Sequence, residues 1–321
     1  MKIYMMKRHF FIIVFIFNVL LSCTQSQVSI LLEDVDSYIM ERPDSALAIL
    51  ESLDRSLFVN KEDRAFHALL HAMALDKNFI DVSDDSLARV AVDYYSEHGR
   101  DKYYARSLYY LGIAYYYQKD YNKAVVEFTK AEKIAAGTDL LYLAMTKSAL
   151  SDTYAQCYNY IEELKCLREA NALFREISDY PHVYSTELEL AHALYNLNMN
   201  NEADVLLAEL LTKNDTDDLI KILAKSTLAF NIVTNHSDPD FNKVIQIYEE
   251  IFDSRYYDRI SIKDYWAYAY SLNVLGRKSE ANDLIFQLAS VESGTSSYWQ
   301  YLIAKADNNI QSALANLEDY I

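Results

Sequence analysis

Glycine and proline are scarce in this sequence, at 5 and 3 among 321 residues. Long runs of alternating β-branched residues are missing too, which excludes turn-rich β architectures and leaves an all-α chain as the natural class. Only 3 cysteines are present, too few for a disulfide-stapled fold. Cations are outnumbered, with 30 Lys and Arg against 47 Asp and Glu and a formal charge of −17. Such a surface repels phosphate backbones, so nucleic acid is excluded as a partner. No phosphate-binding Gly loop, nucleophile elbow or CxxC occurs. His67 and His71, four residues apart on one helical face, come closest to a metal site. No Glu stands beside His67 as a HExxH hydrolase requires, and no third ligand is evident, so the pair is assigned a structural or surface role. The acidic pairs Asp84-Asp85, Glu162-Glu163 and Glu249-Glu250 fall at helix starts or on solvent faces, where the helix dipole accounts for them. The sequence therefore predicts a protein that is not an enzyme, with no catalytic residue, metal or cofactor.

The N-terminus reads apart from the rest. Lys2, Lys7 and Arg8 precede an apolar stretch from Phe10 to Leu21, broken only by Asn18. That stretch is shorter than the roughly 20 residues a membrane span needs, and it reads as a secretory signal peptide over residues 1–22. Leu20-Leu21-Ser22-Cys23 follows and resembles a bacterial lipobox. The resemblance implies lipidation of Cys23, a polar tether over 23–27 and a membrane partner reached through two or more acyl chains. With Thr24 rather than Asp after the cysteine, it further implies a cell-envelope location at the outer membrane, facing the periplasm. Cys157 and Cys166 then remain; they flank one helix–helix turn at different heights, which favours two thiols over a disulfide.

Repetition organises residues 28–321. The clearest unit, 105–136, carries Leu111-Gly112-x-x-Tyr115 in its first helix and Ala124, Phe128 and Ala131 in its second. Gly112 and Ala124 let the two helices cross closely, and Tyr115 and Phe128 fill the wedges. This pattern resembles the tetratricopeptide repeat (TPR), with Leu108 where Trp is common and Ala136 where a terminal Pro usually lies. The crossing residue recurs at Ser151, Ala191 and Ala269, at steps of 39, 40 and 78 residues, against roughly 34 in a regular TPR. Ala203 and Ala281 repeat the second-helix alanine, whereas Glu163 departs from it. One further pair is expected over 217–253, opened by a cap at Asp238-Pro239, with a last pair over 296–320 and two upstream pairs marked by Ala46 and Ala88. The expected fold is a right-handed α-solenoid of about eight TPR-like helix pairs with a concave groove. Lipobox and lengthened, Tyr-rich repeats together resemble TPR lipoproteins of the Bacteroidota type.

In a TPR array the first helix of each pair lines the groove. Applied here, that implies ligand contacts from Tyr109, Tyr116 and Tyr117, then Asp152 and Gln156, His192 and Tyr195, and finally Trp266, Tyr270 and Asn273. Aromatic, amide and acidic groups together suit a peptide or protein segment as partner. The expected function is a membrane-anchored scaffold or adaptor. The alternatives are a sensory ectodomain working with a membrane-spanning partner, or a nutrient-binding lipoprotein.

Overall fold

The computed structural model describes residues 27–54, 56, 58, 60–80, 83–288 and 295–320. Within them the regular structure is sixteen α-helices, with a 3-10 turn at Tyr257–Arg259 and no strand. In chain order they are α1 (Gln27–Tyr38), α2 (Pro43–Ser52), α3 (Lys61–Lys77), α4 (Ser86–His98), α5 (Asp101–Tyr117) and α6 (Tyr121–Ala135). Next come α7 (Leu140–Gln156), α8 (Tyr160–Glu176), α9 (Tyr180–Asn196), α10 (Asn200–Thr212) and α11 (Asp218–Asn235). The chain finishes with α12 (Phe241–Phe252), α13 (Ile262–Val274), α14 (Lys278–Leu288), α15 (Thr295–Ala306) and α16 (Ile310–Tyr320). This is an all-α, TPR-like solenoid. Two compact units compose it, one up to Ala149 and one from Leu150, with the boundary inside α7.

Small residues set the packing. Gly112, inside α5, lies so close to α6 that a Cβ on it would stand 2.5 Å from Cε1 of Phe128. Ser151, Ala191 and Ala269 occupy the same place in α7, α9 and α13, each at most 1% exposed. Ala124, Ala203 and Ala281 in the second helices are fully buried. Within the second unit the first helices α9, α11, α13 and α15 also pack against one another in turn, while the second helices make no comparable contact. First helices thus form a continuous inner wall there.

The turns use a device that the composition hides. Lys119, Tyr158, Ser178, Asn198, Gly276 and Asn308 all take positive φ at the end of a helix. In each case the next residue donates its N–H to the carbonyl five positions back along the helix end, as Asp120 does to Tyr115 at 2.9 Å. This is a Schellman closure, usually built on glycine. The residue after the left-handed one then often caps the next helix, as Asp120 accepts from Lys123 N, Asn159 from Glu162 N and Asp179 from His182 N. The cap of α12 is Asp240, which accepts from Lys243 N at 3.1 Å, two residues beyond the expected Asp238. Cys157 is exposed and Cys166 is buried.

Two substitutions probe these constraints from opposite sides. Gly112→Ala should destabilise by about 1–2 kcal/mol, because overpacking against Phe128 outweighs a helix-propensity gain of about 1 kcal/mol. Lys119→Gly should stabilise by about 0.5–1 kcal/mol, since it removes the left-handed Cβ penalty at an exposed turn. Urea unfolding of both variants checks this; a neutral Gly112→Ala would contradict the crossing geometry.

Candidate functional site

The crossing residue gives each first helix a register, and burial follows it. Residues three before it are buried in α5, α9 and α13, with Tyr109 at 6%, Leu188 at 7% and Trp266 at 0% exposure, while Ser148 in α7 is half-buried. Residues directly after it face outward or are half-buried, namely Ile113, Asp152, His192 and Tyr270. Four residues further on the same helical face, Tyr117, Gln156, Asn196 and Val274 are exposed. On each of these helices the two positions, one turn apart, form an accessible stripe.

The register sorts the expected groove residues. Tyr117, Asp152, Gln156, His192 and Tyr270 lie on the stripe, and Tyr116 is half-buried beside Tyr117 and Tyr121. Four of the expected residues are instead buried. Tyr109 is a core residue packed on Tyr110, Phe128 and Tyr142, and Trp266 is wholly enclosed. Asn273 is also buried, its amide donating to Asp307 at 3.1 Å. Tyr195 is buried except where it borders a cavity, and its hydroxyl donates to Asp204 at 2.5 Å.

That cavity, about 320 Å³, is bordered by His192, Asn196, Thr227, Phe230 and Lys263. His192 Nε2 sits 2.8 Å from the Thr227 hydroxyl. Solvent reaches the imidazole, yet the surrounding walls displace most of its water, and the Lys263 charge adds to this. Together they lower its pKa to about 4, leaving it neutral at physiological pH. The Lys263 ammonium stands 4.7 Å over the Phe230 ring. Asn231 is already occupied, donating to the Thr227 carbonyl and accepting from Asn235. Sequence reasoning missed Asn196, Thr227, Phe230 and Lys263. The α11–α12 pair has Ile232 and Val244 where other pairs have small residues, so nothing marked its register.

Carboxylates gather along the same wall. Asp152 is raised to about 6 by desolvation. Glu163, buried in α8, is raised to about 7 by burial and then by the Asp152 charge. Glu189, one turn before His192, is raised to about 7 by burial and then by Asp152, with a smaller push from Glu163. A larger cavity of about 610 Å³ in the first unit is bordered by Phe58, Arg64, His67 and Val90. His67 Nε2 lies 2.9 Å from the Leu50 carbonyl and its ring packs on Phe58. The described residues hold no group of three or more His, Cys, Asp or Glu that could bind a metal ion.

Several solved structures share this fold, at identities that speak for the fold alone. RapI superposes with a TM-score of 0.68 at 14% identity, over 91% of this chain and 85% of that one. The quorum sensor NprR from B. thuringiensis, in its apo form, gives 0.64 at 14% identity over 89% and 79%. NprR in complex with its cognate peptide NprX also matches, at 0.53. The Rap conjugation gene regulator of plasmid pLS20, in complex with the Phr* peptide, gives 0.53 at 14% identity over 92% and 85%. No protein-family model matches the sequence, and no curated protein does.

These findings correct the expected location and membrane-anchored role. The fold is shared with a quorum sensor and a conjugation gene regulator, both seen with peptides. Among the described residues no helix is long and apolar enough to cross a membrane. The membrane-anchored adaptor, its outer-membrane location facing the periplasm, and the lipoprotein and Bacteroidota assignments are therefore withdrawn. Cys23 and the signal segment 1–22 lie outside the described residues.

The raised carboxyls fix a pH dependence. Between the ordinary carboxylate range and about 7, the folded chain holds protons on Glu163 and Glu189 that the unfolded chain releases. Their contribution to stability is therefore present at acid pH and lost as pH rises through that window. His192 acts oppositely: from about 4 up to its ordinary value the unfolded chain binds a proton that the folded chain refuses, so stability rises there. Gln at 163 cannot ionise. Glu163→Gln should therefore melt higher than wild type at about pH 8, with the gap closing by about pH 5. A gap independent of pH, measured by thermal unfolding, would contradict this.

Proposed function

We propose that this protein binds a peptide, or an extended segment of a protein, along the first-helix wall of its second unit. The observation that carries the proposal is the His192 cavity, which opens on the accessible stripe and mixes the groups a peptide needs. A neutral imidazole, the Asn196 amide and the Thr227 hydroxyl offer donors and acceptors to a backbone. Phe230 supplies apolar area with Lys263 over its face. Bordering side chains with converging polar groups are the usual make-up of such sites. NprR with NprX, and the pLS20 regulator with Phr*, are peptide complexes of the same fold, which supports this reading.

Selection of random linear peptides on the immobilised full chain tests it. The affinity of a selected peptide is then compared between wild type, Asn196→Trp and Lys263→Glu, both at exposed positions. Trp would fill the cavity and Glu would reverse its charge. Each should weaken binding by about tenfold or more, about 1.4 kcal/mol, with the melting temperature unchanged. Failure to select any peptide, or equal affinities for all three proteins, would overturn the proposal.

A further inference from the structure

Three helix pairs place alanine in the second helix twelve residues after the small crossing residue: Ala124 after Gly112, Ala203 after Ala191 and Ala281 after Ala269. The pair α7–α8 breaks the rule with Glu163 after Ser151. A carboxylate thus stands where the fold asks for a methyl group, 7% exposed, and its Oε2 has no hydrogen-bond partner. Burying an ionised group unpaired is costly. This chain shows how it answers a buried carboxylate elsewhere: Glu187, 2% exposed, is held by Arg175 and by Lys213 Nζ at 2.5 Å. No such cation meets Glu163. The charged groups that act on it and on its neighbour Glu189 have its own sign, Asp152 from α7 and each other. Glu189 has one oxygen 3.3 Å from the Ser185 hydroxyl, and its Oε2 is also buried without a partner.

Uncompensated like charges on an inner wall are explained by a ligand that brings the missing charge. We propose that Asp152, Glu163 and Glu189 form a receptor for one cationic group of the bound peptide, a primary ammonium or a guanidinium. The inference rests on the peptide-binding reading above and names one chemical feature of that peptide. A metal ion is not the ligand proposed, because among the described residues no three such side chains form a group that could hold one. A guanidinium or ammonium directs several N–H donors outward and can satisfy separated acceptors. Placement agrees: Glu189 is one turn from His192 on α9, and Asp152 holds on α7 the stripe position that His192 holds on α9. Glu189 therefore lies one helical turn along α9 from the His192 that borders the cavity proposed for the peptide.

The test uses the full chain immobilised at neutral pH and pools of random peptides, N-acetylated and C-amidated, with the central residue fixed as Lys, Arg, Glu or norleucine. A further norleucine pool keeps its free amino terminus. Retention is read by mass spectrometry. Either the Lys and Arg pools or the free-amine pool should be held about tenfold better than the acetylated norleucine pool, a difference typical of one well-placed charge pair. The first outcome assigns the cation to a side chain and the second to the peptide terminus. Glu163→Gln with Glu189→Gln should abolish the preference while leaving norleucine retention unchanged, and Asp152→Asn, at an exposed site, should reduce it without risk to the fold. Equal retention of cationic and norleucine pools, or a preference that survives neutralisation, would overturn this inference alone. Retention of no pool would overturn it together with the peptide-binding reading.

Discussion

How closely two helices of a pair can cross decides most of what this chain does. Gly112 against Phe128 is the extreme case, with no room for a single added carbon, and Ser151, Ala191 and Ala269 repeat it with slightly larger residues. Close crossing fixes the rotation of each first helix about its own axis. Once that rotation is set, the residue three before the crossing must point into the core, and those one and five after it must point out. Burial, exposure and the candidate site all descend from this register.

The same constraint explains why Glu163 matters. Three second helices meet the crossing with the methyl group of an alanine, and α12 meets it with the apolar Val244. A carboxylate at that place gives up stability at neutral pH, where its proton is lost and its burial is uncompensated. Strain of this kind is kept where it serves a site. Glu187 shows that the chain can neutralise a buried acid with its own cations. Asp264, as deeply buried, is held instead by the hydroxyls of Ser226 and Tyr248, whereas Glu163 and Glu189 each keep a buried oxygen without a hydrogen-bond partner.

Much of the fold was legible in the sequence. Gly112, Ala124 and Phe128 identified the repeat, and the recurrence at Ser151, Ala191 and Ala269 located most of the pairs, including those marked by Ala46 and Ala88, both at most 2% exposed. The turns were not legible, because Lys119, Tyr158 and Ser178 adopt a left-handed conformation that composition assigns to glycine. The site was only half legible. Asp152, His192 and Tyr270 follow the crossing residue and face out, whereas Tyr109 and Trp266 precede it by three and face in. Aromatic character alone does not separate the two positions, since a ring with a polar edge suits either a groove or a wide core. In the pair formed by α11 and α12, Ile232 and Val244 concealed the register, and Thr227 and Phe230 went unnoticed with it.

A site-specific photo-crosslinker tests the central claim most directly, because it reports which face of the helices a bound peptide touches. Placed singly at His192, Asn196 or Tyr270, it should capture a selected peptide. Placed at Lys165 or Phe286, both exposed on second helices, it should not. Capture from those second-helix positions, with none from the three on the stripe, would contradict the account.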